Sequence, residues 1–145
     1  MDDDAKDILH KEIDLIQECV KRMSNNSFLL KGWLMSLIAV AITLLPQKIN
    51  SNLLILLIIV MTLCFWYLDG YYLKLERMFR EKYNWVIKKR PKGNKEYLYN
   101  LNPNNKNMWL DHEEKITIMN SMFSYSLLPF YGLIVITSLA ILIII

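Results

Sequence analysis

Apolar and polar positions along this chain fall into long blocks. Three stretches, residues 27–46, 53–73 and 124–145, are apolar on all faces. Each holds about 20 residues, which is enough to cross a hydrocarbon core of roughly 30 Å as a helix. A core helix of a soluble protein rarely stays apolar on every face for that length. The pattern predicts an all-α helical membrane protein with three transmembrane helices.

A helical pattern of a different kind precedes the first of these stretches. Apolar residues recur there at intervals of four, three, four and three, which is typical of an amphipathic helix with a heptad-like stripe. The polar face of this helix is rich in acids, whereas helices lying in the membrane plane usually carry Lys and Arg. We therefore expect the stripe to pack against protein, either the helix after the second span or a copy in a neighbouring subunit. The stripe consists of Leu9, Ile13, Ile16, Val20 and Met23.

The second apolar stretch continues into a polar segment without a break in helical pattern. No proline occurs in residues 51–90, and Pro91 and Gly93 then supply stop signals. The second span is therefore predicted to continue as one helix to about residue 90, about twice the thickness of the hydrocarbon core. Its second half would project into the cytoplasm as a stalk. Its packing residues are Leu75, Phe79 and Tyr83, flanked by Tyr72 and Val86.

The segment between the stalk and the third span has a loop composition. Residues 91–107 are rich in Asn, Lys, Pro and Gly. A short helix is predicted to begin near Asn107, to hold Trp109, Leu110, Ile116 and Met119, and to lead into the third span.

Basic residues are distributed unevenly between the polar segments. Residues 1–26 carry four Lys or Arg, residues 46–52 carry one and residues 74–123 carry eleven. Because basic loops stay on the cytoplasmic side, the N-terminal helix and residues 74–123 are predicted to be inside. The turn of the transmembrane hairpin (27–73) and the end of the third span (124–145) are then outside.

The net charge of +3 does not by itself indicate a nucleic-acid partner. The positive-inside rule and anionic lipid headgroups explain the basic middle segment, and a nucleic-acid or nucleotide site is the less favoured alternative. Cys19 and Cys64 are far apart and form no CxxC motif, so neither a disulfide nor a zinc site is indicated.

Two ionisable residues lie inside the apolar stretches, where charge is costly and usually paired. Lys31 lies 18 residues before Ile49, the centre of the hairpin turn, and Asp69 lies 20 residues after it. Both should therefore lie at nearly the same depth, near the cytoplasmic face. We predict a Lys31–Asp69 ion pair that acts as a structural clamp or a gating contact, with snorkelling of each side chain to the interface as the alternative. The adjacent Gly70 would let a neighbouring element approach closely.

No pattern in the sequence indicates an enzyme, a cofactor or a metal site. The run Asp111, His112, Glu113, Glu114 contains ligand-type residues, but on a helix only Asp111 and Glu114 would share a face. We interpret the run as a solvated helix start. The chain also lacks a phosphate-binding glycine loop and a nucleophile motif.

Two segments of the chain carry a resemblance. "RMSNNSFLLKGW" (22–33) and "FWYLDGYYLKLERMFREKYNWV" (65–86) resemble small bacterial membrane proteins found beside phage-defence genes. The overall design is similar to that of the membrane accessory protein of an RNA-targeting CRISPR type, a small helical subunit that oligomerises into a pore. That family has a ribonuclease-like motif of Arg, four residues and His. Neither His10 nor His112 has an arginine five positions earlier, so nuclease activity does not carry over.

The resemblance implies two hypotheses for a protein of the bacterial cytoplasmic membrane. One is a homo-oligomeric antiviral effector that permeabilises the lipid bilayer on a cytoplasmic signal. The other is a non-conducting anchor that holds a cytoplasmic partner protein through the acidic N-terminal helix or the basic loop 88–106.

Overall fold

The chain folds as an all-α protein built around one long helical hairpin. The computed structural model describes residues 3–44, 50–110 and 116–144, and no strand forms within those ranges. Two long helices, α1 and α2, form the hairpin, and two shorter helices pack on α2. Their bounds are α1 Asp3–Leu44, α2 Ser51–Lys89, α3 Ile118–Met122 and α4 Leu128–Ile144, with short 3₁₀ turns at Arg90–Lys92 and Lys106–Met108.

Helix α1 passes from the polar N-terminal segment into the first apolar stretch without a break. The composition changes from polar to apolar between residues 26 and 27, and the helix continues through this point. Ile16, Met23 and Leu30 are buried at intervals of seven residues, so one continuous stripe crosses that boundary. Because α2 contacts α1 more extensively than any other element does, the helix is stabilised by packing along much of its length.

Helix α2 begins and ends where its local sequence predicts. The Asn50 side chain caps the first turn by accepting a hydrogen bond from the Asn52 N–H at 3.0 Å. At the other end the chain tightens into the 3₁₀ turn that contains Pro91. Gly93 then adopts a φ of 83°, a left-handed conformation that glycine reaches without steric cost.

The polar halves of α1 and α2 pack against each other to form a cluster that we call the stalk core. Its buried members are Ile16, Cys19, Met23, Phe79, Trp85, Val86 and Met108. The remaining residues of the two predicted stripes, Leu9, Ile13, Val20, Leu75 and Tyr83, pack around that cluster. Of the two arrangements expected for the N-terminal stripe, packing on the helix after the second apolar stretch is therefore the one present within a single chain.

The apolar halves of the helices are largely uncovered. Two helical segments, Asp3–Thr43 and Ser51–Lys92, are long and apolar enough to cross a membrane. In the most apolar part of each segment, only 17% and 33% of the residues, respectively, are buried. A core helix of a soluble protein, in contrast, is mostly buried. Helix α4 has 17 residues and is mostly apolar, with Leu133, Ile136 and Ile143 exposed.

The segment between the stalk and α4 differs from its sequence prediction. At the start of the helix expected near Asn107, residues Lys106–Met108 form a single 3₁₀ turn, after which Trp109 is extended with φ −108° and ψ 139°. Of the four residues expected in that helix, only Met119 lies in one, the short helix α3. The Asn105 side chain caps this turn, and Trp109 is buried. The run Asp111, His112, Glu113, Glu114 lies outside the described residues. Helix α4 begins at Leu128 rather than at residue 124, which places Pro129 in its first turn, where proline is tolerated.

Helix α3 lies directly against α2 at Gly70. A Cβ built on Gly70 would lie 2.5 Å from Cγ and 3.5 Å from Cα of Met122. The indole N–H of Trp66, one turn earlier on α2, donates to the Met122 carbonyl at 2.9 Å. A side chain at position 70 would therefore force the Met122 side chain, or α3 itself, to move.

Replacing Gly70 with Ala should destabilise the fold by about 1–3 kcal/mol, because the new methyl group would push α3 away from α2. Gly32→Ala is the matched control, since a Cβ at Gly32 meets nothing within 4 Å and gains the same helix propensity. Thermal unfolding of both variants in detergent measures the difference. Equal melting temperatures for the two variants would contradict the close packing at Gly70.

Candidate functional site

The carboxylate of Asp69 is the point at which α1, α2 and α4 meet. Lys31 Nζ on α1 donates to Asp69 Oδ2 at 2.6 Å, and the hydroxyl of Tyr131 on α4 donates to the same oxygen at 2.9 Å. The Asp69 side chain is 0% exposed and that of Lys31 is 23% exposed. We call these three residues the junction.

Neighbouring side chains fix the positions of both donors. Lys31 Nζ also donates to Ser27 Oγ at 2.9 Å, one turn back on α1. The ring of Tyr131 stacks on Trp66 with centroids 6.0 Å apart and planes 6° apart. Because Trp66 is anchored to α3 by its indole N–H, the tyrosine hydroxyl is held against the carboxylate from a second direction.

The charge of Asp69 is only partly compensated. Oδ1 is buried and has no hydrogen-bond partner among the described residues, so both donors act on Oδ2. Burying a carboxylate is costly unless it is paired and hydrogen-bonded, and removing one partner of a buried pair typically costs 3–5 kcal/mol. The junction can therefore hold three helices at one level only while Lys31 stays in place.

The structure brings together the two ionisable residues that depth counting placed at one level, Lys31 and Asp69. The structure adds Tyr131 as a third member of the junction, which the sequence pattern did not predict. A signal for Tyr131 was available in the sequence: it is a phenol within a predicted membrane span, and a buried hydroxyl needs a hydrogen-bond partner.

A double-mutant cycle on Lys31 and Asp69 tests the junction. Asp69→Asn and Lys31→Met should each lower the free energy of unfolding, and their combination should cost at least about 1 kcal/mol less than the sum. The physical reason is that each single change strands the other partner in a buried site. Unfolding in detergent supplies the four energies, and simple additivity would show that the pair is uncoupled.

A second buried polar group lies at the far end of the stalk. Arg90 binds Glu12 of α1 through two hydrogen bonds, Nε to Oε2 at 2.6 Å and Nη2 to Oε1 at 2.8 Å. Its remaining nitrogen, Nη1, donates to the carbonyls of Asn94 and Glu96 at 2.9 and 2.7 Å. Both charged side chains are almost fully buried. Arg90 therefore fixes the loop after α2 to the beginning of α1.

Lys82 completes this stalk-tip network of Glu12, Lys82 and Arg90. Its side chain is fully buried on α2, and Nζ donates to the Asn100 carbonyl at 2.6 Å. Desolvation lowers the pKa of Lys82 from 10.5 to about 8, while the negative charge of Glu12 opposes that shift. The lysine is thus a charged group whose burial opposes folding at neutral pH. The spacing of apolar residues did not identify Glu12, Lys82 or Arg90. Glu12 and Lys82 lie on helix faces that carry both polar and apolar residues.

The depressed pKa of Lys82 predicts a pH dependence of stability. Above about pH 8 the folded protein releases the proton that the unfolded chain keeps until about pH 10.5, so the free energy of unfolding should rise through that interval by up to about 3 kcal/mol. Lys82→Met should remove this rise, whereas Lys89→Met, at an exposed lysine, should keep it. Denaturant unfolding in detergent from pH 7 to 10.5 gives the slopes; identical slopes for all three proteins would contradict the assignment.

The described residues hold no cluster of metal-ligating side chains. No group of three or more His, Cys, Asp or Glu side chains in residues 3–44, 50–110 and 116–144 could hold a metal ion. Comparison of the chain with protein-family models, with curated proteins and with solved structures found no match.

Proposed function

We propose that the protein is a homo-oligomeric effector of the bacterial cytoplasmic membrane that changes bilayer permeability in response to a cytoplasmic signal. The observation that carries this proposal is the junction. One buried carboxylate joins three helices at the level where the polar stalk meets the apolar halves of α1 and α2. Movement of the stalk would therefore reach all three apolar helices through Asp69.

Exposure and charge support a membrane location with α1, α2 and α4 as three spans. Large apolar side chains are exposed along each of these helices, as expected for lipid contact. The excess of Lys and Arg in residues 1–26 and 74–123 favours a cytoplasmic stalk. The antiviral setting is proposed only from the resemblance of residues 22–33 and 65–86, and a phage-sensing or nucleotide-signalling gene beside this one would support it.

A pore would have to lie between subunits. The apolar half of α2 has no charged residue before Asp69, and the buried polar groups there, Thr62 on α2 and Ser138 on α4, are small. A ring of such helices would enclose a largely apolar throat, and throats of this kind gate by dewetting.

Dye release from liposomes tests the effector proposal. The purified full-length protein and its Glu12→Gln variant would be reconstituted in phosphatidylethanolamine–phosphatidylglycerol vesicles that contain a self-quenching dye. Glu12→Gln loosens Arg90 at the stalk tip and so mimics a signal that displaces the stalk. We expect release to increase in the variant and to rise more steeply than linearly with protein concentration, because several copies form each pore.

His10→Gln, at an exposed position of α1, serves as the control for an unrelated change near the stalk tip. Circular dichroism shows that each variant keeps its helices. The effector proposal is wrong if wild type and Glu12→Gln both insert fully and both retain the dye.

A membrane anchor is the second candidate, and the loop after α2 favours it. Tyr97, Leu98 and Tyr99 are exposed by 39%, 38% and 42%, and both tyrosines have a φ of 54°, a strained conformation for a residue other than glycine. Arg90 and Lys82 hold this loop to the stalk. A stoichiometric cytoplasmic protein that co-purifies with wild type but not with Tyr97→Ser/Tyr99→Ser, together with tight liposomes, would favour the anchor.

A further inference from the structure

A groove runs along one side of the stalk between α1 and α2. It has a volume of about 980 Å³ and is open to solvent. Acidic side chains lie towards the stalk tip and basic ones nearer the apolar half, where Phe28 is 73% exposed. The residues that give the groove this character are Asp14, Glu18, Lys21, Phe28, Arg80 and Tyr83.

Among the charged groups of the groove, Arg80 pairs with Glu76 on its own helix at 2.7 Å, whereas the three on α1 have no partner among the described residues. In the parts of the sequence that the structure describes, Asp14, Glu18 and Lys21 form no ion pair and no side-chain hydrogen bond. All three are exposed. The groove therefore presents an ordered pattern of charge along α1, acid at 14 and 18 followed by base at 21.

The back of α2, opposite the face that packs on α1, carries a second pattern of polar and charged residues. We call the residues Arg77, Glu81, Asn84 and Lys88 the outer stripe; they recur at intervals of four, three and four, so they share one helix face. Within the described ranges neither Glu81 nor Lys88 forms an ion pair. Arg77 donates weakly to the Asn120 carbonyl at 3.5 Å.

The two ion pairs of the hairpin give the relative heights of groove and outer stripe. Glu12 lies opposite Arg90, and Lys31 lies opposite Asp69. The two helices are antiparallel, and both rise about 1.5 Å per residue. A step of one residue forward along α1 therefore corresponds to a step of about one residue back along α2. Asp14 is then level with Lys88, and Lys21 with Glu81, to within about one residue or ~1.5 Å.

Copies that share one bilayer have their charges at the same heights. We infer that the groove of one subunit receives the outer stripe of the next, with Asp14 against Lys88 and Lys21 against Glu81. Both contacts join opposite charges. As in the hairpin itself, α1 of one copy would run antiparallel to α2 of its neighbour. Because the two surfaces differ, the contact is head-to-tail and leads to a ring when the rotation closes.

This inference rests on the proposed homo-oligomeric effector, and it adds the surface through which the copies meet. Opposite charges at matched positions set specificity and register more than raw affinity, while like charges in contact cost several kcal/mol. A single charge reversal should therefore disrupt the contact, and a paired reversal should restore it.

The experiment uses disulfide cross-linking in membranes that contain two differently tagged full-length chains, both with Cys64→Ser. One chain carries Lys21→Cys and the other Glu81→Cys. We expect a mixed cross-linked dimer whose yield exceeds that of the control pair Arg22→Cys with Glu81→Cys by about tenfold or more. Arg22 is exposed on α1 but does not line the groove.

Charge reversal gives a second measurement, the fraction of protein that runs as an oligomer in detergent. Lys21→Glu and Glu81→Lys should each lower that fraction by about tenfold, the double variant should recover it, and Arg22→Glu should leave it unchanged. An oligomer that shows neither the mixed cross-link nor the recovery would overturn this interface and leave the effector proposal standing. A protein that is monomeric and leaves the vesicles tight would overturn both.

Discussion

The bonds that Asp69 accepts from Lys31 and Tyr131 determine how the helices of this protein are aligned. A buried carboxylate has few acceptable arrangements, because loss of a donor leaves charge in an apolar surrounding. Sliding α1 by one turn, about 5.4 Å, would separate Lys31 from its partner, and sliding α4 would remove the Tyr131 hydroxyl. The axial positions of α1 and α4 on α2 are thus determined at one level. The stalk core and the contact of α3 with Gly70 depend on that alignment.

The pair of Glu12 and Arg90 repeats the same constraint at the other end of the stalk. Between the two ion pairs both helices are continuous and α1 contains no proline, so the apolar stripe stays in phase from Leu30 to Ile16. Both ion pairs are costly to desolvate, and burial of apolar side chains in the stalk core stabilises the packing of the two helices. Lys82 is the exception in this end of the molecule, since its burial opposes folding below about pH 8.

The features that the sequence predicted well are those that depend on local pattern. Period and length were sufficient for the long helix α2, for its end at Pro91 and for the stalk-packing stripe, and counting from the turn placed Lys31 level with Asp69. The sequence predicted the N-terminal amphipathic helix and the first apolar stretch as separate elements, and their union in one helix, α1, was not predicted. Tyr131 and the stalk-tip network were missed because they depend on how helices rotate about their axes and on the path of a loop. The extended Trp109 was missed for a similar reason: tertiary burial of its side chain overrides a weak local preference for helix.

The unbroken helix α1 has a mechanical consequence. Lys31 fixes it to α2 about 42 Å from Asp3 and about 20 Å from Leu44, taking 1.5 Å per residue. With no proline to act as a hinge, α1 would turn about that point as a lever, with arms in a ratio of roughly two to one, once the Glu12–Arg90 contact at its polar end is broken. A lateral displacement at the polar end would then appear at the apolar end at about half its size and in the opposite direction. Such a reduction lowers the amplitude of motion but raises the force that reaches the apolar end of the helix.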